Sequence, residues 1–210
     1  RSKLRNQRKI VFPFVATHNH FVSDLAMRLC KQTAPIIMMN EGVDSFYHDL
    51  GCLNSSISCF WARQVLFPKG GYSDGKWEER LEWDPSKVKN IPLPSSLNDG
   101  GRTRKIVKYS KSIDDLSNEM IAVYPSRVLS SVVESCDLAN LDAAKEQFIK
   151  LHNKQVSYQE ELDWVCYEVY GLLESGFTYD FDLPLVRGGE RAFEILLARE
   201  LAANGGSDAW

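Results

Sequence analysis

The 210-residue chain contains no apolar run approaching the ~20 residues needed to cross a bilayer. Its first ten residues, RSKLRNQRKI, are basic but lack the apolar segment of a secretory signal. It has no G-x-G-x-x-G, no G-x-x-x-x-G-K-S/T and no adjacent pair of prolines, so the N/D-P-P-Y/F tetrapeptide of amino-methyltransferases is missing too. Nucleotide and cofactor chemistry therefore lack their usual parts, and no cofactor is expected in this chain. Cysteine is sparse and odd in number: Cys30, Cys52, Cys59, Cys136 and Cys166 are scattered through apolar sequence. That argues against a disulfide framework and for buried thiols in a reducing, cytoplasmic setting. The chain also lacks an initial Met and begins mid-pattern, as a piece of a longer protein would.

What is present divides into two materials. Residues 1–100 carry 13 Lys and Arg against 10 Asp and Glu, a net +3, while residues 101–210 carry 12 against 18, a net −6; together these give −3. Three of the four histidines lie in the first part. A mildly basic module joined to an acidic one points weakly to a polyanion partner for the first, and random scatter would give the same pattern. The expected class is α+β: an N-terminal, mixed β-rich domain with helices (1–100), then an antiparallel coiled-coil-like helical spacer and C-terminal helices (101–210).

In the first part, RKIVFPFVATHNHFVSD (8–24) predicts two short strands about a polar tip at Thr17-His18-Asn19-His20, with Pro13 making the first an edge or bulged strand. TAPIIMM (33–39) predicts another strand. Leu50, Leu53, Ile57, Phe60 and Trp61 fall at helical steps. PKGGYSDG is a flexible loop, KWEERLEW a further strand, and KVKNIPLP an extended exit, because each Pro biases its predecessor away from helix. Trp61, Trp77 and Trp83 are read as core.

The second part is helical. Ile106, Ile113 and Met120, with Tyr109, Leu116 and Val123, recur at seven-residue steps between Arg104 and Tyr124. From Leu141 to Leu172 a seam runs through Ala144, Phe148, Leu151, Gln155, Tyr158, Leu162, Val165 and Val169 in alternating steps of three and four. Such a helix is roughly 48 Å long at 1.5 Å per residue, and a seam so narrow needs a partner, for which 104–124 is the obvious helix. PSRVLSSVVES is a short helix begun by Pro125, Gly171 and Gly176 mark the end of the long one, and GERAFEILLARELAA is a last helix. A plain spacer is the simplest reading, since nothing in the seam performs chemistry.

Candidate chemistry is thin. GYSDG (71–75) fits the nucleophile elbow G-x-S-x-G, but no buried strand precedes Ser73 and the downstream His152 sits in the long helix, so a mobile glycine loop is the better reading. His18, His20, His48 and Cys52 are ligand types that zinc accepts, though their spacing matches no compact zinc pattern. The alternatives are hydrogen-bonded turn histidines or polar groups facing a ligand. Asp114-Asp115 and Glu160-Glu161 read as solvated helix faces. No catalytic residue and no metal ligand is assigned.

The segments FPFVATHNHFVSD, LGCLNSSISCFWARQV, KGG, WEERLEW and IPLP, followed by LDAAKEQF, YQEELDWVCYEVYGLL and GERAFEILLARE, occur in an order that resembles the C-terminal target-recognition region of the adenine-specific DNA methyltransferases of phage growth limitation (BREX-type) defence systems. More distantly, the layout is similar to the specificity domains of restriction–modification enzymes, where a β-rich recognition domain hands over to a helical spacer. The glycine loop PKGGYSDG is shorter than in those relatives, which puts the DNA sequence read in doubt. The resemblance implies sequence-specific recognition of double-stranded DNA by this chain. It also implies an upstream methyltransferase domain in the same parent protein that binds S-adenosylmethionine and extrudes the adenine, other defence-system proteins as further partners, and no membrane.

On that reading, phosphate contacts position the duplex and base-edge contacts specify it. Lys69, Lys76 and Arg63 are the phosphate candidates, with Gly70 and Gly71 letting the backbone approach. His18, Asn19 and His20 at the polar tip, then Gln64 and Tyr72, are the base-edge candidates. Two other classes stay open: a protein-interaction scaffold of the same system, and a small metal-dependent enzyme built on the His and Cys set.

Overall fold

The computed structural model describes residues 8–25, 28–39, 42–70, 79–95, 100–131, 138–174, 177–179 and 182–191. The expected α+β class is observed, with short antiparallel strands first and long helices after. The chain forms two compact units. The first holds the residues up to Ser110 together with Leu162–Phe177, and the second holds Lys111–Glu161 and Thr178–Ala209. Among the described residues no helix is long and apolar enough to cross a membrane.

In the first unit, β1 (Lys9–Val11) lies between β3 (Val22–Asp24) and β4 (Ile36–Met38), antiparallel to both, with Ile10 opposite Ser23 and Ile37. β1 is thus central, so of the two alternatives that Pro13 offered, an edge strand or a bulge, the edge strand does not hold. The reason is the two-residue period of a strand. Phe12 and Phe14 donate their backbone N–H groups to Pro35 and Thr33 on the β4 side. Pro13, which has no N–H, falls between them, past the last β1–β3 pair at Val11 and Val22. The two strands expected around the tip are three, because β2 (Val15–Ala16) leaves this sheet and pairs with β5 (Leu81–Glu82).

The helical stripe expected from Leu50 to Trp61 is two helices, α1 (Val43–Leu53) and α2 (Ser56–Val65). Ser55 breaks them: its backbone is extended and its hydroxyl accepts the N–H of Ser58, an N-cap that competes with continued helix. The break resets the helical phase. Leu50 and Leu53 stay buried, while Phe60, on the expected stripe, is 69% exposed. The core collects Ile10, Phe12, Phe21, Phe46, Leu81 and Trp83, with Trp61 packed partly buried against it. Phe21 meets the Trp83 ring edge-on at 5.7 Å. Trp77 lies outside the described residues.

KVKNIPLP differs from the extended exit read in the sequence. Asp84 caps a short helix, α3 (Pro85–Val88), by accepting the N–H of Ser86, and Pro85 occupies its first turn. Residues 91–95 then run without strand pairing; Ile91 is buried while Leu93 is 39% exposed, so the two do not share one buried face.

α4 (Gly100–Ala122) and α6 (Leu138–Val169) are the two long helices, with α5 (Pro125–Ser131) between them. In the first unit, Ile106, Tyr109, Leu162, Val165 and Cys166 are buried. There α1 meets both long helices at Gly51, where a Cβ would lie 3.0 Å from Ile106 and 3.3 Å from Leu162. In the second unit, Leu116, Met120 and Leu151 form a small core with Phe148 and Tyr158. Gln155 reaches Ser117, and Tyr124 contacts the Phe148 ring, so later residues of α4 meet earlier residues of α6 and the two runs are antiparallel.

α6 ends as Gly171 predicts. Gly171 has φ +72°, its N–H donates to Glu168 and the N–H of Leu172 donates to Tyr167, which together make a Schellman cap. Leu172, the last seam position, is beyond the helix and exposed. The solvated face expected at Glu160-Glu161 is not observed. Glu161 is buried and accepts the N–H of Tyr179, and Glu160 pairs with Arg191 at 2.7 Å, because the chain after the helix folds back along this face. The final helix GERAFEILLARELAA lies almost wholly outside the described residues, as do Cys136, Ser73, Gly176 and most of the glycine loop.

Candidate nucleic-acid interface

The polar tip grows directly out of β2. Ala16 is opposite Leu81, and Thr17, His18, Asn19 and His20 follow before the chain enters β3. Amide side chains hold it in place. Asn19 donates both N–H groups of its Nδ2, to the carbonyls of Leu53 (2.8 Å) and Ser55 (2.9 Å) at the α1–α2 junction. Asn54, at that junction, answers by accepting the N–H of Phe21 (2.9 Å) and donating to its carbonyl (2.7 Å), as a strand neighbour would. Arg63 reaches from α2 to the carbonyl of Thr17 at 2.8 Å.

This division was not visible in the sequence. Asn19 is half-buried with its donors engaged on backbone, whereas the flanking His18 and His20 are exposed, with ring centroids 4.1 Å apart. Bidentate reading of adenine needs both the amide donor and the carbonyl, so the arrangement makes Asn19 an anchor and turns the histidines outward. Partial burial, followed by the nearby His20 and Arg63, pushes the pKa of His18 below the usual histidine value. Thr17 Oγ1 lies 2.8 Å from its Nδ1. Above its lowered pKa, a neutral imidazole with one donor and one acceptor nitrogen stands at the tip.

A third run completes the small sheet. Pro68 bridges to Leu81, Lys69 donates its N–H to the Arg80 carbonyl and Glu82 donates to Phe67, so residues 67–69 lie along the free side of β5. In this antiparallel order β2 exits toward the tip at the same end where β5 begins and where 67–69 leave into the glycine loop. The topology thus brings His18, His20, Lys69 and Gly70 to one end of one sheet. Gly70 has φ +85°, a conformation that makes glycine the natural residue at this exit. Gln64 is exposed near the end of α2. Gly71, Tyr72 and Lys76 lie outside the described residues.

Sequence reasoning missed Arg80. It is exposed, directly opposite Lys69, and it joins the sheet only through a pairing that spans the loop 71–78. The strand period could have placed it: Leu81 is buried, so Arg80 and Glu82 project from the other face. Lys69 is 48% exposed and paired with Glu82 at 2.8 Å, an ion pair whose exposure makes it weak.

The His and Cys set behaves as two separate pairs. His48 is buried, with Nδ1 3.0 Å from Asp49 and Nε2 3.9 Å from the Cys52 sulfur. Burial opposes its charge, but the bonds to Asp49 and Cys52 outweigh it and raise its pKa to about 9. A hydrogen bond from Cys166, helped by His48 against burial, lowers the pKa of Cys52 to about 6. Both imidazole nitrogens therefore have partners, and among the described residues no group of three or more His, Cys, Asp or Glu could hold a metal. Three thiols, Cys52, Cys59 and Cys166, are buried as expected, whereas Cys30 is exposed.

A cavity in the first unit is poorly matched to S-adenosylmethionine. It is about 340 Å³ in volume and is walled by apolar side chains such as Ile10, Phe12 and Val88, with Asp49 and Lys89 as its charged groups. An adenosyl amino acid needs more donors and acceptors than that wall supplies.

A family described as Domain of unknown function (DUF7008) matches residues 155–210. Adenine-specific methyltransferase PglX of Streptomyces coelicolor is 34% identical over 215 aligned residues, covering 95% of this chain. The resemblance carried by FPFVATHNHFVSD, YQEELDWVCYEVYGLL and the segments around them is therefore matched by a relative along almost the whole sequence. The chain is similar to one stretch of an adenine-specific methyltransferase, and it spans 17% of that relative's length.

Proposed function

We propose that this chain recognises duplex DNA for a larger adenine-specific methyltransferase of a phage-defence system. The observation that carries the reading is the convergence of the outward-facing His18 and His20 and the basic Lys69–Gly70 exit at one end of a small sheet. Residues 1–100 form the target-recognition part, and residues 101–210 form the helical spacer.

Base edges are read from the tip, where His18 and His20 offer donors and acceptors and Asn19 fixes their position. Gln64 and Tyr72 are the second candidates for base-edge contact. Phosphates are held by Lys69, Lys76 and Arg63, with Gly70 and Gly71 at the point of closest approach. The cytoplasmic parent protein supplies the methyltransferase domain, binds S-adenosylmethionine there and works beside other defence proteins. In that division the present residues orient the duplex and select the site, and hold no reacting group.

The similarity to a methyltransferase supports this reading, as does the basic balance of residues 1–100. It is tested by selecting bound duplexes from a random library with the full-length protein that contains this chain. The expected result is one enriched motif coinciding with the motif that the protein methylates. Binding without enrichment, or enrichment of an unrelated motif, contradicts it.

A further inference from the structure

The geometry points to a phosphate clamp formed by Lys69 and Arg80 on the outer face of the β2–β5 sheet, an inference that rests on the duplex-binding reading above. The pairing Pro68–Leu81 puts Lys69 directly opposite Arg80, and the bond from the Lys69 N–H to the Arg80 carbonyl (2.8 Å) fixes that register. Because Leu81 is buried, Arg80 and Lys69 project from the opposite, solvent face.

Two cations directly across an antiparallel pair repel, so the register is unfavourable without an anion between them. Glu82, one strand step along on the same face, answers only part of this charge. It takes Lys69 at 2.8 Å and leaves the face with two positive charges to one negative. Val15, opposite Glu82, is 38% exposed, so the face is reached by solvent there.

A phosphate resting on the pair relieves the repulsion and receives a forked donor from Arg80 and a point charge from Lys69. The site stands at the same sheet end as the tip. One strand of the duplex can thus be held on the sheet face while His18 and His20 reach the bases beside it. Arg80 then positions the DNA and carries no sequence information.

The test is duplex affinity of the full-length protein across a range of salt, for wild type, Arg80→Gln, Arg80→Lys and Glu82→Gln. Arg80→Gln is expected to weaken binding about 5- to 10-fold on every sequence and to lower the slope of log affinity against log salt by about 0.9. Arg80→Lys keeps the slope. Glu82→Gln frees Lys69 and tightens binding. An unchanged slope and affinity in Arg80→Gln overturns the clamp while leaving duplex recognition intact, as does a change of site preference at constant slope. A wild-type protein with no salt-dependent binding overturns both.

Discussion

Two amide side chains show how differently the two units are held. Asn19, in the first unit, gives both donors to the carbonyls of Leu53 and Ser55, where one helix stops and the next begins. Gln155, in the second, lies on the apolar seam and bonds Ser117 Oγ at 2.6 Å, but that hydroxyl already donates to the Ile113 carbonyl. The first amide joins segments that no ladder or helix joins. The second decorates a helix pair already held by Leu116, Met120 and Leu151. Where backbone bonds end, polar side chains must replace them, and the first unit has many such places. Asn54 on Phe21 is another, and so is the Asp163 carboxylate of α6, which accepts the first N–H of α2 from Ser56 at 2.8 Å.

The largest effect is expected at Gly51. A side chain there must displace Ile106 or Ser110 of α4 or Leu162 of α6, each within 3.0–3.3 Å of the new Cβ, and the two helices cannot both give. Gly51→Val is expected to cost about 3 kcal/mol, a large share of the ~5–15 kcal/mol that holds a typical domain; chemical denaturation measures it. A loss under about 1 kcal/mol would mean that the close approach of α1 is soft.

Next in size is the exchange of the two amides. Asn19→Leu leaves the Leu53 carbonyl without its donor, and a loss of about 1–3 kcal/mol is expected. Gln155→Leu strands nothing and extends the apolar seam, so a change within about 0.5 kcal/mol or a slight gain is expected. Equal losses in the two variants would erase the distinction between the units.

The smallest effect is a dependence on pH. The raised pKa of His48 gives stability that is full below pH 6.5 and is lost as pH rises through about 9. The lowered pKa of Cys52 gives stability that is present above pH 9 and lost as pH falls through about 6. The two oppose each other across the same window, so wild-type stability should change little between pH 6.5 and 9. Cys52→Ser removes the thiolate while Asp49 still favours the charged His48, so the variant should lose stability steadily as pH rises over that range. Thermal midpoints at several pH values decide it; a flat profile in the variant contradicts the network.

The same contrast explains what the sequence disclosed. Periodicity is a local signal, so the seam of α6 and the facing positions of α4 were legible, as was Gly171 at the cap. The phase of α2 was not, because a single N-cap at Ser55 turned Phe60 outward and no apolar pattern records that. The burial of Glu161 and Asp163 was hidden for a related reason: an acid on a helix looks solvated until the chain that bonds it is placed alongside. At the candidate site the polar tip was legible as four consecutive polar residues between apolar runs. Its inner workings were not, since Asn19 and the two histidines differ only in which of them meets the junction 34 residues away. The pairing of Arg80 with Lys69 was invisible because that register spans a loop, although the strand period alone sets the face of Arg80.

The central question is whether the tip chooses the sequence. The most direct measurement is the motif methylated by the full-length protein, mapped on random DNA with and without His18→Ala/His20→Ala. The account predicts that the variant relaxes or shifts the motif at one or two positions while the salt dependence of binding holds steady. An unchanged motif in a folded, active variant would contradict it.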